Sequence, residues 1–207
     1  MATQSRETEG EKSQSKVPAQ ESPLKSPPTT SQPEAKSVET INSPSLEETQ
    51  KWLSENLRAY AEVAFEDTLR RKEAISTYKV EHIEFNKCHV LLLETGKTEE
   101  KYTNLYLTGK YQYKFNLSEI LDVKLSSEEK IGYIVTLTAS RGAILRSGKI
   151  HKRLRDDDNS IKEDAWEMPL VAIDGVAVRF SNESLAQRVS SAFKHAIKLC
   201  KEGKEPF

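Results

Sequence analysis

The sharpest hydrophobic pattern in the chain lies near its C-terminal end, where a period of two gives way to the helical period. Val176, Val178 and Phe180 alternate with Ala177 and Arg179, as in a strand with one covered face. Leu185, Val189, Ala192, Phe193, Ala196 and Cys200 then recur at three- and four-residue spacing, which predicts a helix with one apolar side. Ser181 or Asn182 can cap its first turn, Glu183 suits the positive end, Lys198 and Lys201 suit the negative end, and Gly203 offers a left-handed stop. A one-sided helix must cover something, and the strand-rich middle of the chain is the only candidate large enough.

A second helix is expected from Ser45. Ser45-Leu46-Glu47-Glu48 has the form of a capping box, and Leu46, Thr49, Leu53, Leu57, Tyr60 and Ala64 follow on one side, with Trp52 at its edge. This helix is expected to pack on the domain, although Trp and Leu at helical spacing are also what groove-binding peptides present. Phe65 to Ala74 is mostly charged and reads as the helix end and a linker.

Strands dominate from Ile75 to Phe180. Tyr78, Val80 and His82 alternate with Lys79, Glu81, Ile83 and Phe85, so each face is apolar at one end and the register stays open. Asn86-Lys87 is a tight turn into Cys88 to Glu94, whose aliphatic run suits a strand covered on both sides. Gly96 to Glu100 reads as a loop, and Tyr102, Leu105, Leu107, Tyr111, Tyr113 and Phe115 as one or two strands broken near Thr108-Gly109-Lys110. Phe115 to Val123 predicts a strand, a short corner at Ser118-Glu119 and a new strand. Ile131 to Ser140 alternates well, Arg141-Gly142 turns the chain into Ala143-Ile144-Leu145, and Ser147 to Glu163 is a polar excursion. Strands around Trp166 to Ile173 and from Val176 flank Asp174-Gly175, a strong hairpin signal. Roughly seven strands with short connections and one capping helix make a small closed or nearly closed β-structure.

Residues 1–44 lack aromatic side chains and mix Ser, Thr, Gln, Glu, Lys and Pro, so they cannot bury enough apolar surface to offset the entropy of ordering. Ser22-Pro23, Ser26-Pro27 and Ser43-Pro44 suit a solubilising linker and also fit proline-directed phosphorylation. The expected organisation is a disordered tail over 1–44, an amphipathic helix and linker over 45–72, and a β-domain over 73–207.

Of the 207 residues, 36% are apolar and 30% charged, lean for a chain packed from end to end. A net charge of -1 argues against a surface that attracts nucleic acid as a whole, while permitting a local basic patch. No apolar run approaches the roughly 20 residues of a membrane span, and no secretory leader opens the sequence, so a cytoplasmic protein is expected. Cys88 and Cys200 fall in different elements, and Cys200 continues an apolar stripe, the mark of a buried free thiol. Neither shares zinc-like spacing with His82, His89, His151 or His195, and no metal or cofactor is expected.

The order of antiparallel strands followed by one amphipathic helix resembles the pleckstrin-homology-like superfold. The corner Phe115-Asn116-Leu117-Ser118-Glu119-Ile120-Leu121-Asp122-Val123 and the passage Phe180-Ser181-Asn182-Glu183 into the last helix carry the likeness. Leu46 to Leu53, Arg188 to Cys200 and Lys204-Glu205-Pro206-Phe207 also resemble a group of uncharacterised bacterial proteins. The resemblance implies a mainly β fold of seven antiparallel strands in a bent sandwich or barrel, its end plugged by the last helix. It implies little about function, because one fold serves lipid binding, peptide binding and scaffolding alike.

No nucleophile elbow, phosphate-binding glycine loop or paired histidines stand in the sequence, and no enzymatic activity is expected. His195, beside Lys194 and Lys198, reads as a surface residue. The densest polar feature is the basic run Arg141, Arg146, Lys149, His151, Lys152, Arg153 and Arg155, followed by Asp156-Asp157-Asp158. Gathered at a loop mouth, Arg146, Lys149, Lys152, Arg153 and Arg155 could hold an inositol phosphate or an anionic membrane, and the following acids oppose that. The reading favoured is a non-catalytic module that binds a protein or peptide through an open strand edge or beside its last helix. Anionic lipid is the alternative partner.

Overall fold

The computed structural model describes residues 43–69, 72–101, 104–155 and 160–203. The expected tail up to residue 42, Tyr102, the triple aspartate at 156–158 and the final Lys204 to Phe207 lie outside them.

Over the described residues the fold is mainly β, with antiparallel sheets and two α-helices. Helix α1 (Leu46–Tyr60) is followed by strands β1 (Glu62–Leu69), β2 (Lys72–Asn86), β3 (His89–Glu100) and β4 (Leu105–Asn116). A single 3-10 turn leads to β5 (Ile120–Glu128), β6 (Gly132–Ala139), β7 (Ile144–Arg155), β8 (Ile161–Ile173), β9 (Gly175–Phe180) and α2 (Glu183–Lys201). Among the described residues these nine strands form two open sheets, ordered β1-β2-β3-β4-β7-β8 and β5-β6-β9, where the sequence suggests about seven in a closed or nearly closed shell.

Both helices start as the sequence demands. At α1 the Ser45 hydroxyl accepts from the Glu48 amide while the Glu48 carboxylate accepts from the Ser45 amide. At α2 the Asn182 side chain accepts from the Leu185 amide. Ala186, Val189, Phe193, Ala196 and Ile197 form the buried stripe of α2, which packs on α1, the 3-10 turn, β5, β6 and β9. Burial of a side chain such as Phe193 contributes about 1.5–3 kcal/mol. Helix α1 buries Leu46, Thr49, Leu53 and Leu57 against β2 and α2, so it belongs to the domain. Arg188 of α2 stacks on Trp52 of α1, 5.0 Å from the ring centre.

Several expectations are corrected here. The helix ends at Tyr60, which is exposed, and the stretch expected as a linker is β1, paired with β2 from Glu62↔Lys79 to Leu69↔Lys72. Its alternation, Val63 and Phe65 against Glu62, Ala64 and Glu66, is short and half charged, so the helical reading overran it. Gly96 to Glu100 continues β3, β4 runs unbroken through Gly109, and the polar excursion after Ser147 is mostly the antiparallel pair β7 and β8. Asp174-Gly175 joins two sheets and makes no hairpin: β8 pairs β7, whereas β9 pairs β6. The Asp174 carboxylate instead accepts from the amide of Gly142, whose φ of +76° is the left-handed value expected of that turn.

The cysteines are not free thiols. Cys88, in the β2–β3 turn, and Cys200, near the end of α2, form a disulfide with their Cα atoms 5.8 Å apart. Both helices therefore grip that turn, since Gln50 of α1 also donates to the Lys87 carbonyl at 2.6 Å. The stripe position of Cys200 and the turn position of Cys88 are each readable, but their convergence is a property of the tertiary fold.

Candidate functional site

Residues paired across neighbouring strands share a sheet face, so the ladder registers assign the faces of the large sheet. One row crosses all six strands: Val63, Tyr78, Gly96, Gly109, Ile150 and Trp166. The next row toward the core holds Glu94, Tyr111, Gly148 and Met168, and the one after it Ile83, Leu92, Tyr113, Arg146 and Val171. This inner face is well covered at one end, where Leu92, Phe115 and Ile144 are buried, and open at the other, where Trp166 is exposed.

Glycine makes room on it for aromatic rings. A Cβ on Gly96 would lie 3.1 Å from the Tyr78 ring, and one on Gly109 would overlap the Tyr111 ring. A Cβ on Gly148 would lie 2.6 Å from the Lys110 carbonyl oxygen. The two tyrosines thus lie down over bare backbone and form the floor of the face.

Above that floor is a polar cluster drawn from both sheets. Glu94 of β3 is only 5% exposed. Its Oε1 accepts from Arg179 Nη1 of β9 at 3.4 Å and its Oε2 from the Tyr113 hydroxyl at 3.1 Å. The Arg179 guanidinium also sits 4.2 Å from the centre of the Tyr78 ring, which stacks on Phe65. Burial pushes the Glu94 carboxyl above its ordinary range; Arg179 and the Tyr113 hydroxyl pull it back without cancelling the shift. Burial and the neighbouring carboxylate likewise push the Tyr113 phenol up, so it stays a donor.

Glu94, Arg179, Tyr78, Tyr111, Tyr113 and Arg146 line a cavity of about 290 Å³ whose other walls are mainly apolar, including Ile150, Met168 and Ile173. The Nε atoms of Arg146 and Arg179 are buried without a hydrogen-bond partner. A second cavity of about 360 Å³ shares Tyr78, Tyr111 and Ile150 with the first and continues along Leu105, Leu107 and Trp166 toward the open end.

The five cations singled out in the sequence lie on strand β7 and not at a loop mouth, and strand alternation divides them. Arg146 and Lys152 share the inner face with Tyr113 and Leu107, while Lys149, Arg153 and Arg155 share the outer face with Lys110 and Tyr106. Arg153 pairs with Glu163 of β8 at 3.4 Å on the surface, an interaction of little energetic weight. Lys149 stands directly opposite Lys110. His195, expected on the surface, is half-buried and donates from Nε2 to the Pro44 carbonyl at 2.7 Å.

The sequence reading missed Glu94, Arg179, Tyr78 and Trp166. Glu94 closes the aliphatic run Val90-Leu91-Leu92-Leu93, and Arg179 interrupts Val176-Ala177-Val178 before Phe180. Opposite charges, each set in an otherwise apolar strand, were the available signal.

Comparison with known proteins adds no relative: no family model, curated protein or solved structure matches the chain.

Proposed function

We propose that the chain is a non-catalytic interaction module that takes an extended segment of a partner protein along the free edge of β8. The observation that carries this reading is β8 itself: thirteen residues long, paired among the described strands with β7 alone, and exposed along most of its length. Ile161, Trp166 and Leu170 stand 49%, 43% and 63% exposed along it. A long edge strand with apolar side chains is a template for strand addition, in which main-chain bonds supply affinity and alternate side chains supply selectivity. Pro169 and the charged stretch Lys162-Glu163-Asp164 restrict indiscriminate pairing at that edge.

The pleckstrin-homology-like reading finds support in the topology once the hairpin β7–β8 is set aside. Seven antiparallel strands then remain, β1 to β4 and β5, β6 and β9, followed by a helix. On this view β7–β8 is an added hairpin that widens the first sheet and carries Arg146, Ile150 and Trp166 into it.

No helix among the described residues is long and apolar enough to cross a membrane. The Cys88–Cys200 bond supports an oxidising compartment over the cytoplasm expected from sequence, because cytosolic thiols are kept reduced.

Affinity capture with the intact chain and with a Trp166→Lys/Leu170→Lys variant tests the edge reading, with cross-links mapped on the captured partner. A partner cross-linked to β8 and lost from the variant is expected. A partner held equally by the variant, or by residues 1–44 alone, would sink it.

The facing of Lys110 and Lys149 favours a second reading, against Glu167 and Glu163, which stand opposite Lys149 and Arg153 on β8. The outer face would then meet anionic lipid through Lys97, Lys110, Lys149 and Arg153. Co-sedimentation with phosphatidylserine vesicles that weakens in salt and in Lys110→Ala/Lys149→Ala is the expected result, and no sedimentation at low salt removes this reading.

A further inference from the structure

We infer that the cavity between the two sheets binds an amphipathic carboxylate of the fatty-acid class, its head group between Arg146 and Arg179 and its chain running out over the open inner face. This site shares Trp166 with the β8 edge, but the arginines that define its head-group end lie on β7 and β9.

The charge count points to an anion. Arg146 and Arg179 bring two positive charges to the lining, and Glu94 brings the only carboxylate. That carboxylate is already occupied, one oxygen by Arg179 and the other by Tyr113. Two guanidinium N–H groups, one on each arginine, remain buried with no acceptor. Buried donors without partners are costly, and a carboxylate has two oxygens with which to accept from both.

The same count selects the kind of anion. Two guanidiniums against one carboxylate leave room for a single negative charge, so a monoanion neutralises the site and a phosphate dianion overfills it. Beyond the head group the lining is mostly apolar, with Thr98 and the facing pair Lys152 and Asp164 as its polar members. Ile150 and the Tyr78 and Tyr111 rings are common to both cavities, and Leu105, Leu107 and Trp166 line the continuation. An unbranched chain can follow the apolar side of this path, over Ile150, Leu105, Leu107 and the aromatic rings, because Lys152 and Asp164 face each other and add no net charge.

The test is titration of the full-length chain with dodecanoate below its aggregation threshold, read by calorimetry and by the fluorescence of Trp166 in a Trp52→Phe background. Dodecanol, dodecyl phosphate and inorganic phosphate serve as comparators. Saturable binding of one dodecanoate is expected, with dodecanol and dodecyl phosphate each at least about tenfold weaker, the scale of one charged hydrogen bond. Arg146→Met should weaken dodecanoate about tenfold or more, and Glu94→Gln, which removes the competing charge, should tighten it severalfold. Tightening cannot arise from a damaged fold, so the second variant keeps the outcome decisive. Equal binding of dodecanol, preference for either phosphate, indifference to both variants, or no saturable binding would each overturn the assignment. Leu170→Lys should leave dodecanoate binding unchanged, which keeps failure of the edge reading apart from failure of this one.

Discussion

Glu94 and Arg179 meet across the gap between the two sheets, with the Arg179 Nη1 donating to the Glu94 Oε1 at 3.4 Å. An ion pair would ordinarily hold a carboxyl below its usual value of 4.5, yet this one is raised, because loss of water outweighs the guanidinium and the Tyr113 hydroxyl. A carboxyl raised on folding stabilises the native state below its unfolded value, and that contribution is lost as pH climbs through the folded one. Wild type should therefore lose stability relative to Glu94→Gln as pH rises from below the ordinary carboxyl value to above the raised one. Glu48 and Glu66 are shifted downward and act in the opposite sense, but they are common to both proteins and cancel. Urea unfolding midpoints across that range decide it; a difference independent of pH would refute the assignment.

The disulfide joins residues separated by 112 positions. Closing a loop of that size removes unfolded-state entropy worth about 4–5 kcal/mol in the chain-entropy model. Reduction, or Cys88→Ala with Cys200→Ala, should lower the stability by up to that amount and leave the far-ultraviolet circular dichroism folded at 25 °C, since α2 keeps its buried stripe. A midpoint unchanged by reductant would show that the bond contributes nothing.

Gly148 lies where β4 and β7 come close, and a Cβ there would sit 2.6 Å from the Lys110 carbonyl oxygen. That neighbour is backbone and cannot swing aside. Gly148→Ala should cost about 1–3 kcal/mol by forcing the two strands apart. Hydrogen exchange should show the loss concentrated in β7 and β8, and protection equal to wild type in those strands would contradict the geometry.

Ser45 donates to and accepts from Glu48 at the head of α1. Ser45→Ala should destabilise by about 1 kcal/mol, with a matching fall in the thermal midpoint, because an early amide loses its acceptor. An unchanged midpoint would mean that α1 is held by Leu53 and Leu57 alone.

Much of this architecture is legible in the sequence wherever one period holds from end to end. The α2 stripe, the Ser45 capping box and the corner at Ser118-Glu119 all appear where the residues place them. The open register of β2 has a physical cause: the ladder slips between Val80 and His82, so a bulge at Glu81 moves the inward set from Tyr78 and Val80 to Ile83 and Phe85. Neither face is apolar throughout because the strand changes faces midway. The cavity was less legible for a different reason. Arg146 looked like one cation among several, and only the alternation of β7 turns it inward while Lys149 turns out. Arg179 reaches Glu94 across a sequence separation of 85, and no local pattern records that contact.

The bond at Cys88 also divides the chain topologically. Everything from β3 to the last turn of α2 lies inside one covalent ring, while α1, β1 and β2 hang outside it. A protease that nicks the exposed turn at Glu129-Lys130 would release nothing until reductant is added, and Glu94, Arg146 and Arg179 would stay tethered in a single molecule. Tension on the N-terminal side could peel away only the outer elements, removing Tyr78 and stripping one wall from the cavity while the ring itself stays intact.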